Sequence, residues 1–94
     1  MDDTEIKCRI VEKLLRKRVV GDHKWSIDKT VSYALPSHAR GRGKQLIRDE
    51  MLSANEASLE AYGGGHRENV RLGDVEEAVD FLRENDGNVP FGFG

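Results

Sequence analysis

The residues best suited to chemistry stand close together. Arg40, Arg42, Lys44 and Arg48 fall within nine residues, with His38 before them and Gln45 interleaved. Guanidinium and ammonium groups neutralise phosphates, and arginine or glutamine can also read a base edge in a bidentate manner. Such a set suits a polyanion, and Gly41 in its midst would let a phosphate backbone come close. The competing reading is a solvated helix whose cations pair with Asp49, Glu50 or the acidic C-terminal half. A second basic run, Arg16-Lys17-Arg18, fits a helix end, where cations complement the dipole, and equally fits a bound anion.

Elsewhere the reactive residue types are scattered. His23, His38 and His66 lie far apart, none in a ligand-spaced pair, and Cys8 is the single cysteine, so no metal is expected. No Ser-His-Asp neighbourhood can be argued from spacing, because such triads are recognised by geometry. Gly63-Gly64-Gly65 lacks the Gly-x-x-x-x-Gly-Lys-Ser/Thr pattern of a phosphate loop and reads as a hairpin turn. Glu76-Glu77 falls on the exposed face of an amphipathic helix. The expectation is a protein that is not an enzyme, with no cofactor and no small-molecule substrate.

Charge divides the chain. Residues 1–48 hold twelve Lys/Arg against six Asp/Glu, a formal +6, while residues 49–94 hold three against eleven, a formal −8. A domain that gathers the basic half on one face can attract a polyanion there, and the same separation could serve self-association, basic face to acidic face. The sequence pI of about 5.9 weighs against nucleic acid, since dedicated DNA-binding domains tend to be basic throughout.

Ninety-four residues suit one domain, expected over 1–88, with an aromatic and glycine-rich tail over 89–94. No apolar run approaches the roughly 20 residues needed to span a bilayer. Met1-Asp2-Asp3-Thr4-Glu5 lacks the pattern of a signal peptide, and the lone cysteine fits a reducing compartment, so a soluble cytoplasmic protein is expected.

Periodicity supplies the elements that must position the basic residues. A helix is predicted over about residues 4–19, capped by Thr4 or Asp3, with Ile6, Cys8, Ile10, Val11, Leu14 and Leu15 as its buried stripe. After a turn at Gly21-Asp22, residues 23–27 read as extended, with Trp25 at the core edge. A second helix runs from Ile27 or Asp28 to Leu35, where Pro36 stops it. A third is predicted from Ser37 to Ser53, with Ala39, Gly43, Leu46, Ile47, Met51 and Ala54 inward. Two glycines in one turn imply a close approach to the backbone or a later start. Residues 58–62 and 69–72 alternate about the glycines as a β-hairpin, which should turn Leu59, Ala61, Val70 and Leu72 to one core. A last helix runs from Asp74 to about Asn85, with Gly87 as its stop.

The fold class is therefore mostly α with a small hairpin (α+β). Helix, short strand, helix, helix, hairpin, helix is an order that resembles a winged helix-turn-helix domain, and the whole chain is similar to small archaeal proteins of this architecture. The resemblance implies a three-helix core, a turn at Leu35-Pro36-Ser37, a recognition helix at about Ser37–Ser53 in the DNA major groove, and a wing at Ser58–Leu72. It also implies wing-tip contacts from His66 and Arg67, with Arg16, Lys17 and Arg18 adding phosphate contacts. The short, proline-containing link between the second and third helices departs from that pattern. Residues 39–78 also resemble the latter half of an archaeal histone, in which 38–62 would be a single helix without a hairpin. Duplex DNA is the expected partner. The alternative is a protein-interaction module or small homodimer that buries the last helix and the Phe91/Phe93 tail, and a symmetric dimer is the expected assembly.

Overall fold

The computed structural model describes residues 1–62 and 68–93. It is an α+β fold, mostly helical, with a three-stranded antiparallel sheet. Helix α1 spans Asp3–Arg16 and buries Ile6, Cys8, Ile10, Val11, Leu14 and Leu15, the stripe expected from spacing. Its cap is Asp2, one residue earlier than predicted, whose carboxylate accepts from the Glu5 amide at 2.8 Å. It stops three residues short of the predicted end because Arg18 turns left-handed (φ 52°). The amides of Arg18 and Val19 then donate to the carbonyls of Leu15 and Leu14, a closure that satisfies the helix's last acceptors.

Strand β1 (Trp25–Ser26) leads directly into α2 (Ile27–Ala34), capped by the Ser26 hydroxyl on the Lys29 amide at 3.0 Å. The buried Thr30 hydroxyl donates back to the Ser26 carbonyl at 2.8 Å. A 3-10 turn, Ser37–Ala39, opens helix α3, which is regular over Arg40–Leu46, widens to a π-helical turn over Ile47–Met51 and closes with Leu52–Ala54. The wider turn rotates the last residues of the helix about its axis. Leu52 is therefore buried and Ala54 exposed, the reverse of the prediction from a constant helical period.

Left-handed Asn55, Ala57 and Ser58 end α3 and turn the chain into strand β2 (Leu59–Ala61), so residues 38–62 are not one helix. Strand β3 (Asn69–Leu72) pairs antiparallel with β2, Leu59 opposite Leu72 and Ala61 opposite Val70. It also pairs with β1, Trp25 opposite Val70, which gives the order β1-β3-β2. Leu59, Val70 and Leu72 reach the core as expected, whereas Ala61, at the open end of the outer strand, is exposed. The hairpin's connecting residues, including Gly64, Gly65, His66 and Arg67, lie outside the described residues.

Helix α4 (Val75–Glu84) is capped by Asp74, which accepts from the amides of Glu76 and Glu77. Its left-handed end residue is Asp86 (φ 58°), not Gly87. Gly87 serves a different need, because a Cβ there would stand 2.8 Å from Leu82 and 3.0 Å from the Cys8 sulfur. The tail divides its two rings. Phe93 packs on the core with Val89, while Phe91 is fully exposed, so the two phenylalanines are not buried together. Among the described residues, no helix is long and apolar enough to cross a membrane.

Candidate nucleic-acid interface

Helix α3 presents its polar face as the spacing predicts: His38, Gly41, Gln45 and Arg48 are exposed, Lys44 half-buried, and Arg42 exposed beside them. The geometry also shows what holds each cation. Arg40, half-buried, closes the end of α2, its Nε donating to the Leu35 carbonyl at 3.1 Å and its Nη2 to that of Ser32 at 3.2 Å. Those carbonyls have no partner within the helix, so Arg40 has a structural role. Arg42 forks onto Asp3 at the start of α1, at 2.9 and 2.5 Å, and donates its remaining Nη1 to Gln45 Oε1 at 2.9 Å. Lys44 pairs with Asp28 at the start of α2, and Arg48 with Glu68 before β3 at 3.1 Å.

Of the partners expected, the acidic C-terminal half supplies only Glu68, to Arg48; Arg42 and Lys44 find Asp3 and Asp28 in the N-terminal half, and Asp49 and Glu50 take none of the three. Glu50 instead receives Lys7, whose ammonium also meets Glu56, both at 2.8 Å. Burial works against the Lys7 charge, but the hydrogen bonds that the ammonium donates to Glu50 and Glu56 prevail and raise its pKa. The three pairs on α3 are solvent-exposed, with side chains between 38% and 70% accessible. Pairs of this kind contribute only about 0–1 kcal/mol each and exchange readily with other ions.

Asp3 and Asp28 record that pairing. Hydrogen bonds, from Arg42 to Asp3 and from Lys44 to Asp28, hold both carboxyls below the ordinary aspartate range. A carboxyl lowered in the folded state favours folding above its ordinary pKa, and that contribution is lost as pH falls through the lowered value. In an NMR titration both side-chain carboxyl carbons should therefore show midpoints below those of free aspartate. The Asp3 midpoint should return upward in Arg42→Ala, and that of Asp28 in Lys44→Ala. Unmoved midpoints would show that these pairs do not form in solution.

The remaining predicted residues are not brought to this face. Arg16, Lys17 and Arg18 lie at the far end of α1 from Asp3, about 20 Å along a helix of this length. Arg16 is paired with Glu12 at 2.9 Å, and the Arg18 guanidinium stacks 4.9 Å from the Phe93 ring. His66 and Arg67 fall outside the described residues. Spacing missed a group of ring–cation contacts on β1, α2 and the sheet. Trp25 and Tyr33 meet edge to face, with Lys29 over both, and the Tyr62 ring is met by Lys24 at 5.4 Å and Arg71 at 4.9 Å. Lys29 and Tyr33 are i, i+4 on α2, which was the available signal. Among the described residues no group of acidic, histidine or cysteine side chains could hold a metal ion. Burial pushes the Cys8 thiol up in pKa, which suits a core residue rather than a nucleophile. Comparison of the chain with family models, curated proteins and solved structures gives no match.

Proposed function

We propose that the chain is a small DNA-binding protein of winged-helix type, with α3 as the helix that meets the duplex. The observation that carries this is the row of exposed Arg42, Gln45 and Arg48 with half-buried Lys44 on the helix following the Leu35–Ser37 turn. The strand order supports it: β1, which precedes α2, joins the hairpin strands in one sheet, so hairpin and α3 flank a shared edge through Arg48 and Glu68. Phosphates would take the places now held by the carboxylates of Asp3, Asp28 and Glu68. Because each exposed pair is weak, the exchange costs little, while released counterions favour it. The need to displace three carboxylates makes the expected affinity modest.

A labelled duplex titrated by fluorescence anisotropy tests this. If three or four phosphates are contacted, affinity should fall roughly 40-fold to 150-fold between 50 and 200 mM salt. Lys44→Ala and Arg48→Ala should each weaken binding and reduce the salt slope by about one. Asp28→Asn and Glu68→Gln, which free those cations, should tighten it. Absence of binding at low salt, or affinity indifferent to salt and to all four substitutions, would refute the reading.

A further inference from the structure

Two other charged surfaces remain, and their chemistry matches. At the end of α1, Lys13, Lys17 and Arg18 have no carboxylate partner among the described residues, in contrast to Arg42, Lys44 and Arg48. With Arg16 they border a hollow of about 390 Å³ completed by Pro90, Phe91 and Phe93. Phe91 projects from it fully exposed. Opposite in sign is the outer face of α4, where Glu76, Glu77, Asp80 and Glu84 fall within one arc at 100° per residue and are all exposed. Glu77, Asp80 and Glu84 rim a second hollow, of about 290 Å³, whose floor includes Ala57 and the half-buried Phe81 ring.

We infer that the basic, ring-bearing end of α1 docks on the acidic face of α4 of a second copy, with Phe91 seated against Phe81 and Ala57. Lys13, Lys17 and Arg18 then face Glu77, Asp80 and Glu84. A ring that is costly to leave in water gains cover, and of these charges only Asp80 has, among the described residues, a side-chain ion pair to give up, the exposed 4.0 Å contact with Arg83 beside it. Because the two surfaces are different, the contact is head-to-tail and leaves a free surface of each kind at the ends, producing short chains or a closed ring. This assembly differs from the symmetric dimer expected from the tail alone, and it stands independently of DNA.

Sedimentation velocity on the full chain without DNA tests it. The expected mass rises with protein concentration at 20 mM salt and returns to the monomer at 300 mM. Lys13→Glu with Lys17→Glu cancels the positive charge of the α1 end, and Glu77→Lys with Glu84→Lys cancels the negative charge of the α4 face, so each variant alone should be monomeric at low salt. Their mixture should associate, because the unaltered acidic face of the first then meets the unaltered basic end of the second. Phe91→Ala should weaken association about tenfold or more, as removal of a central aromatic anchor does. Thermal unfolding of each variant checks that the fold survives. A full-length monomer at low salt, self-association unchanged in the charge variants, or a mixture that fails to associate although both variants are folded would each overturn the proposal.

Discussion

Ile10→Ala should lower the stability of this domain by about 2–5 kcal/mol, the range for emptying a buried aliphatic site. Ile10 is wholly inaccessible, in the middle of α1, and α1 is the element against which α2, α3 and α4 all pack. Its Cδ1 lies 3.8 Å from where a Cβ on Gly43 would stand, so a shortened side chain leaves a void between α1 and α3 that packed helices cannot easily collapse. A domain of this length holds roughly 5–14 kcal/mol in total, so the substitution removes a large share. Urea unfolding followed by the fluorescence of the half-buried Trp25 should show a lower midpoint with an unchanged slope. Ile10→Val, losing one methylene, should cost about 0.5–1.5 kcal/mol. A cost below about 1 kcal/mol for the alanine variant would show that α1 is not the centre of the core.

Ile10 also marks what could be read from the chain. The apolar stripes of α1 and α4, the stop at Pro36 and the pairing of residues 59–61 with 69–72 all follow from local spacing, and all are present. Two features do not follow from any period. The π-helical turn at Ile47–Met51 changes the face on which Leu52 falls, and the left-handed run at Asn55, Ala57 and Ser58 uses residues other than glycine. Both are set by packing of distant elements, which overrides local preference. The basic row was legible as a row. Of its counter-charges only the half of the chain that holds Glu68 was legible, because Asp3, Asp28 and Glu68 lie 39, 16 and 20 positions from the cations they meet. Helical spacing says which way Arg42 points and nothing about the helix start that waits there. The exposure of Phe91 was equally hidden, since an alternation of phenylalanine with glycine does not say which ring reaches the core.

The two glycines of α3 should respond in opposite senses to the same change. Gly41 faces solvent, and a Cβ there would have nothing within 4 Å, so Gly41→Ala should stabilise the protein by about 0.5–1 kcal/mol through helix propensity and unfolded-state entropy. Gly43 is buried where α3 crosses α2 and α1. A Cβ there would overlap Leu35 Cδ1 and stand 3.2 Å from Val31 Cγ1 and 3.8 Å from Ile10 Cδ1. Overpacking of that kind costs about 1–3 kcal/mol, which outweighs the gain in propensity, because Leu35 is itself buried and has little room to swing. Gly43→Ala should therefore lose about 1–2 kcal/mol net. The decisive measurement is a double-mutant cycle with Leu35→Ala, which removes the obstructing methyl. In that background Gly43→Ala should become neutral or stabilising, a coupling of about 1–3 kcal/mol between residues in contact. If Gly43→Ala were as stabilising as Gly41→Ala in the otherwise native protein, the helices would have to stand further apart at this crossing. The close approach inferred from two glycines in one turn would then be wrong, and with it the position of α3 against which the basic row is displayed.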